Sequence, residues 1–333
     1  MEKRKLGNFE VSAVGMGCMG FSHGYGKAPD ADVAIETIRT AYENGCTLFD
    51  TAEVYGNIMY YAGHNEQLVG KAVAPFRKDI ILSSKFFINI YEYGHTITLY
   101  DAIKGHLMAS LENLNTDYLD IYYLHRLNEA IPIEEVAQAM GKLIDEGLIR
   151  GWGLSQVSSE TLMKAHQVTP VTAVQSLYNM MERGIERNII PYCMENNIGV
   201  VPYSPLGNGF LAGNITDKTK FTGDDVRRLV PQLSKKNIAQ NMPIVDLIDE
   251  FALRKECSLG NINLAWMLNK YPNVVPIPGA LASDEVINNL NAANIIFTPE
   301  ELEELEKRLN EIEIHGHTGH VATVKKGFKL WGR

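Results

Sequence analysis

Short apolar runs alternate along this chain with stretches whose apolar residues recur at helical spacing. Thr47-Leu48-Phe49, Ile80-Ile81-Leu82 and Ile121-Tyr122-Tyr123-Leu124 are brief and almost unbroken, the pattern of strands covered on both faces. Between 31 and 44, by contrast, Val33, Ile35, Ile38, Ala41 and Tyr42 fall along one helical stripe, with Gly45 as a stop. Carried through the chain, the alternation predicts strands at 14–16, up to Asp50, and at 79–84, 119–124, 149–154, 171–175, 198–203 and 273–277. The intervening helices are expected at 31–44, 65–73, 100–114, 133–146, 159–167, 186–196, 244–256, 261–270 and 284–293. Eight strands, each followed by at least one helix and mostly 30 to 40 residues apart, can close into a parallel (β/α)8 TIM barrel.

Two additions flank the barrel. Residues 1–13 alternate around Leu6-Gly7-Asn8 and predict an N-terminal hairpin. An extra C-terminal helix over 299–313 has Thr298 as cap, Pro299 in its first position and Glu301 completing a capping box. The tail from 314 to 333 is polar and carries His315, His317 and His320. With no carboxylate or thiol partner nearby, it reads as flexible or lid-like rather than as a metal site. One barrel domain over 1–333 is the expectation.

Composition narrows the classes. Apolar residues make up 45% of the 333 and charged residues 21%, a globular balance. Forty acids against 31 Lys plus Arg leave a formal charge of -9, which argues against nucleic acid or an anionic membrane as partner. Cys18, Cys46, Cys193 and Cys257 lie far apart, so they fit a reducing compartment better than a disulfide scaffold. No run has the length of a signal peptide core or a membrane span, and a cytoplasmic protein is expected. Oligomeric state is not readable. Val14 to Gly20, VGMGCMG, lets backbone approach something closely, but it lacks the acid and the placement of a dinucleotide fingerprint.

The candidate chemistry sits where successive strands end. Asp50 closes one run, Lys85 the next and His125 the third, with Tyr55 on the first loop. Catalytic groups gather on that face of a parallel barrel. A tyrosine with a pKa near ~10 is a poor acid at neutral pH, and a buried ammonium beside it favours its phenolate. Lys85 can supply that charge while Asp50 keeps it ionised. Tyr55 can then give a proton to a carbonyl oxygen as hydride arrives at carbon, with His125 orienting the carbonyl or sharing the proton. Singly, each has a plainer reading: a loop cap, a buried ion pair, a core imidazole. Their joint placement at three successive strand ends favours the chemical one.

At these residues the chain resembles the aldo-keto reductases, over about residues 3 to 312. FDTAEVYG, LSSK, DIYYLHR, GLIRGWGLS, AVQSLYN, VPYSPLG and VPIPG follow in that family's order, most like its bacterial and plant branch. The resemblance implies NAD(P)H-dependent reduction of an aldehyde or ketone. Tyr55 would be the general acid, tuned by Asp50 and Lys85, and His125 would orient the carbonyl. Ser155, Gln156 and Gln175 would hold the nicotinamide amide, with Tyr203 stacked on its ring and Cys18 and Met19 beside it. The rest of the cofactor would run along Ser204, Leu206, Gly207 and Gly209, then Pro278, Gly279, Ala280, Glu285, Asn288 and Asn289. Met19, Tyr60, Tyr61, Phe86 and Arg126 would meet the substrate. Aromatic or medium aliphatic aldehydes are expected, with sugars and ketosteroids still open.

This chain departs from the family pattern in several places. Gln156 stands where Asn or Glu is frequent, and Asn208 where Arg is. The loop from Gly56 to Asn65 is longer than usual, so Tyr60 and Tyr61 either narrow the mouth or face solvent. Leu281, Glu285 and Asn288 stand where Lys or Arg, Arg, and Glu are frequent, and no Lys or Arg occurs between Pro276 and Glu306. NADPH is the family habit, yet a 2′-phosphate would face Glu285 without a local cation, whereas a 2′-hydroxyl could donate to it. Lys218, Lys220, Arg227 or Arg228 could supply the charge if the loop after the seventh strand folds over. Two other classes compete: a barrel kept as a cofactor-binding interaction protein, as in relatives associated with ion channels, and a different barrel enzyme. Intact Tyr55 and Lys85 speak against the first; the lack of a metal cluster or paired strand-end carboxylates speaks against the second.

Overall fold

The computed structural model describes residues 2–94 and 96–316. Strands β1 (Lys3–Leu6) and β2 (Phe9–Ser12) form the expected antiparallel hairpin, with Leu6 opposite Phe9 and Gly7 in the left-handed turn position at φ 56°. Seven parallel strands follow in chain order. They are β3 (Met16–Gly17), β4 (Leu48–Asp50), β5 (Ile81–Phe86), β6 (Leu119–Leu124), β7 (Ile149–Ser155), β8 (Ala173–Leu177) and β9 (Gly199–Tyr203). Around them lie α1 (Ala31–Glu43), α2 (His64–Val73), α3 (Leu99–Leu114), α4 (Ile133–Asp145), α5 (Ser159–Val168) and α6 (Ile189–Glu195). The ring continues with α7 (Lys235–Lys255), α8 (Leu259–Lys270), α9 (Ser283–Asn291) and α10 (Pro299–Asn310).

The eighth stave differs from the expected strand 273–277. It closes the ring without forming a regular strand. Toward β9, Val200 N donates to Asn273 O (2.8 Å), Val275 N to Val200 O (2.9 Å) and Ile277 N to Pro202 O (3.0 Å). Toward β3, Gly15 N donates to Pro276 O (2.9 Å) and Gly17 N to Pro278 O (3.1 Å). Pro276 and Pro278 have no N–H, so on that side the stave can accept but not donate. The first strand is likewise shorter and later than 14–16. Residues 186–196 divide into a 3₁₀ turn, Gly184–Arg187, and α6. Helix α7 starts at Lys235, nine residues before the expected 244, and runs through Pro243, with the Ser234 side chain capping Asn237 N.

Two apolar layers hold this arrangement. The inner one joins Leu48, Ile81, Ile121, Tyr123, Ala173, Val201, Val275 and Ile277 to Leu6, Phe9 and Val11 of the hairpin, which plugs the barrel where the strands begin. The outer layer lies between strands and helices and includes Phe49, Leu82, Tyr122, Trp152, Trp266 and Phe251. Helix α10 carries the expected capping box, and the Arg183, Lys270, Glu186 and Glu306 cluster ties it to α8 and the 3₁₀ turn. The described part of the tail is anchored by Asn241, which accepts from His315 N (2.8 Å) and donates to His315 O (3.0 Å). The reading of 317–333, with His317 and His320, lies outside the described residues.

Gly70 shows how closely α2 meets α3. A Cβ there would stand 2.4 Å from Leu114 O and 2.6 Å from its carbonyl carbon. Gly→Ala in an unhindered helix stabilises by about 1 kcal/mol. Here overpacking against backbone reverses the sign, and Gly70→Ala is expected to destabilise by about 2 kcal/mol net. A thermal midpoint at or above wild type, followed by circular dichroism, would contradict this contact.

Candidate active site

The parity of β5 determines which side chains enter the barrel. Ser83 and Lys85 point inward, while Ser84 and Phe86 point to the helices. Lys85 is fully buried, and its ammonium has three hydrogens. They meet three oxygens: an ion pair with Asp50 Oδ1, Thr51 O at 2.7 Å, and Tyr55 Oη at 3.2 Å. The second oxygen of Asp50 accepts from Ser83 Oγ (2.7 Å) and Gln175 Nε2 (3.0 Å), so the carboxylate is held from β5 and β8 at once. Burial disfavours the Lys85 ammonium, but the Asp50 charge, then Tyr55 and the bonds to both, keep its pKa above the ordinary value. Tyr55 Oη accepts from Lys85, which leaves its own proton free to be donated.

His125 follows β6 and lies edge-on to Tyr55, with ring centroids 5.8 Å apart at 84°. Burial first, then the Arg126 and Lys85 charges, hold its pKa well below the usual histidine value, so the imidazole is neutral at pH 7. Its Nδ1 is buried without a hydrogen-bond partner. The four sequence-predicted groups Asp50, Tyr55, Lys85 and His125 are therefore gathered in one cluster.

The surrounding residues divide. Phe86, expected at the substrate mouth, is fully buried in the outer layer and stacks on Tyr122 at 4.8 Å. That expectation is corrected: alternation turns position 86 away once Lys85 points in. Phe87, which sequence reasoning missed, packs its ring 4.6 Å from His125. Counting the alternation one residue past the strand end would have found it. Cys18 is fully buried with its N–H on Asp50 O (2.9 Å), so it supports the site from beneath and its thiol lines no open surface. Met19 is half-buried on the first loop, beside Gly24. Tyr60 and Tyr61 are about half exposed and pack on His64, the first residue of α2, at 4.0 Å stacked and 5.2 Å edge-on. Arg126 Nη1 donates to His125 O (2.6 Å) and Ser155 Oγ (2.9 Å), and its guanidinium lies 5.9 Å from the Tyr203 ring centre. Among the described residues no acid pairs with it.

The predicted cofactor residues lie along β7, β8, β9 and the stave. Ser155, the last residue of β7, pairs with Gln175 in the middle of β8. Gln156 has a left-handed φ of 55°, and its Oε1 accepts from Leu177 N (2.8 Å), so this side chain is turned onto backbone. Beyond the half-buried Tyr203, Ser204 Oγ donates to Asn208 Oδ1 (3.1 Å), and Gly207, Asn208 and Gly209 are all left-handed. Leu206 O accepts from Gly209 N (3.0 Å). Pro278, Gly279 and Ala280 lead toward α9, where Glu285 Oε2 accepts from Leu281 N (2.8 Å). Asn288 Nδ2 donates to Ser258 Oγ (3.0 Å), and Asn289 is buried.

The loop after β9 does fold over the first loop. Asp224 accepts from Gly24 N (3.0 Å), Val226 N donates to Gly24 O (3.0 Å), and Gln232 donates to Glu182 (2.6 Å). Arg227, however, is bound through two nitrogens to Asp225 (2.9 and 2.7 Å), and Arg228 donates to Gly223 O (2.9 Å). A cavity of about 1290 Å³ lies far from this chemistry, between the 74–79 turn, the end of α3 and residues 115–118 at the strand-start end.

Comparison with known proteins places the fold and the family. The model of the Aldo/keto reductase family matches residues 13–310. A probable aldo-keto reductase 1 of Glycine max is 35% identical over 308 residues, covering 90% of this chain and 87% of that protein. An aldo/keto reductase from Klebsiella pneumoniae, solved with NADP and acetate, is 29% identical with a TM-score of 0.71, covering 92% of this chain and 95% of that one. The glycerol dehydrogenase of Gluconobacter oxydans is 26% identical with a TM-score of 0.81, covering 98% and 99%. Its barrel and the family model spanning nearly all of it establish that this chain belongs to the aldo/keto reductase family.

Proposed function

We propose that the protein reduces aldehydes, aromatic or medium aliphatic, to alcohols with Tyr55 as general acid. The observation that carries this reading is the Lys85 ammonium, whose hydrogens are shared among Asp50, Thr51 O and Tyr55 so that the phenol proton is left to give. The enzyme is an NAD(P)H-dependent oxidoreductase, and the reduced nicotinamide supplies the hydride. The strand ends fit that group: Tyr203 is half-buried, the Ser155 hydroxyl can donate, and Gln175 keeps its carbonyl oxygen while its nitrogen holds Asp50. A neutral His125 beside Tyr55 can hold the substrate oxygen without competing for the proton. Phe87 and Met19 give apolar surface at the mouth. Purified protein mixed with an aromatic aldehyde panel and either reduced cofactor should lose absorbance at the cofactor band. Absence of turnover with both cofactors would refute the reading.

The cofactor preference follows from charge. Glu285 in the first turn of α9 has no local cation, and the folded-over loop has Arg227 committed to Asp225. NADH is therefore expected to bind at least as tightly as NADPH. Dissociation constants measured at one ionic strength check it. A preference for NADPH of about tenfold, ~1.4 kcal/mol, would overturn it, and loss of that preference in Arg228→Ala would implicate the loop.

A further inference from the structure

We infer that His106 is a positioning residue of the catalytic centre: its imidazolium bridges Glu53 and Glu92 and thereby fastens segment 87–94 to the segment that carries Tyr55. The inference rests on the reading that Tyr55 and His125 form that centre. His106 projects from α3. Its Nδ1 is 2.8 Å from Glu53 Oε2 and its Nε2 is 2.5 Å from Glu92 Oε2. Carboxylates only accept, so both ring nitrogens must carry hydrogen, and the bridge requires the cation.

Both acids are joined to the site. Glu53 lies between Asp50 and Tyr55, its N–H donates to Lys85 O (3.2 Å), and its Oε1 accepts from Phe87 N (2.8 Å). Phe87 is the ring against His125. Glu92 Oε1 accepts from Asn89 N (3.0 Å) and so closes the 89–92 turn. The other titratable groups near Glu53 are Glu66 of α2, which bonds Ser84 and Asn113, and Tyr122 of β6. From β5, Phe86 faces the imidazole at 6.3 Å and is uncharged. Neither Glu66 nor Tyr122 adds a positive charge that would displace the proton.

The Glu53 hydrogen bond, outweighing partial burial, with the Glu53 charge and then Glu92, raises the His106 pKa to about 9. Because the folded value lies above the ordinary one, the bridge's contribution to stability is fully present below pH 6.5, and the bridge itself is lost as pH rises through about 9. A neutral ring has one N–H and must release one acid. Glu92 is the more exposed, so the 89–92 turn is the part set free, while Phe87 keeps its bond to Glu53.

The test compares wild type with His106→Gln and His106→Arg, measuring kcat and KM for benzaldehyde from pH 6 to 10. Wild-type KM should rise through pH 9. His106→Gln should show KM raised about tenfold already at pH 7, the scale of one charge-assisted hydrogen bond, with no break near 9 and a smaller change in kcat. His106→Arg, which keeps a permanent charge, should restore a low KM at both ends. A break near pH 9 that persists in His106→Gln, or an unchanged KM, overturns the inference. A second readout does not depend on turnover. Tyr91 is 86% exposed in the fastened segment, and chymotrypsin should cut there about tenfold faster in His106→Gln than in wild type at pH 7.5. Equal cutting refutes the clamp whatever the aldehyde panel shows, whereas faster cutting without turnover refutes only the assigned reaction.

Discussion

Tyr55→Phe is expected to lower carbonyl reduction by about 10²-fold or more while leaving cofactor affinity close to wild type. The substitution removes one oxygen and keeps the ring. That ring remains edge-on to His125 and within 5.0 Å of the Lys85 ammonium, so the packing survives. Lost is the only group in the cluster that both accepts from Lys85 and retains a proton to give. His125 cannot replace it as a strong acid, because burial and the neighbouring cations hold it neutral. Turnover and a cofactor fluorescence titration, measured on one preparation, separate the two effects. Near-wild-type turnover would remove Tyr55 from the role of general acid.

Lys85→Met is expected to act on chemistry and on stability together. The phenol loses its charged neighbour, and the rate should fall by about 10²-fold, as for Tyr55→Phe. Asp50 is then left buried with Ser83 and Gln175 but without its counter-ion. Removing one partner of a buried pair costs about 3–5 kcal/mol, because the other charge stays behind. The double variant Asp50→Asn with Lys85→Met removes that uncompensated charge. It should recover much of the denaturation midpoint and none of the turnover. Equal midpoints for single and double variants would show that the pair is not coupled as its geometry requires.

Asp50, Lys85 and His125 were legible because each ends a short apolar run, and a strand's direction carries its last inward residue to the same rim. The same rule, miscounted by one, misplaced the aromatic contact: with Lys85 inward, Phe86 had to face the helices and Phe87 became the neighbour of His125. Two boundaries were hidden by proline. Pro243 looks like a start signal, yet it lies within α7, whose buried Ile238, Asn241, Ile244 and Val245 hold both sides of it in the helix. Pro276 and Pro278 sit in a stave whose apolar pattern reads as a strand but whose missing N–H groups leave it outside a regular ladder. The Glu53–His106–Glu92 bridge had no signal at all. Its members come from two loops and a helix, and nothing in their spacing brings them together.

The anchoring of Asp50 bears on how the chain folds. Its carboxylate is held by Ser83, 33 positions on, and by Gln175, 125 positions on. The nearer contact can form once β4 and β5 pair, but the farther one must wait until the strands through β8 have assembled. Closing so long a loop is entropically slow, and rates fall as contacts become more distant in sequence. Until then the Asp50–Lys85 pair has water in place of its last partner and lacks its final geometry. The anchoring of Asp50 is therefore complete only once β8 has docked.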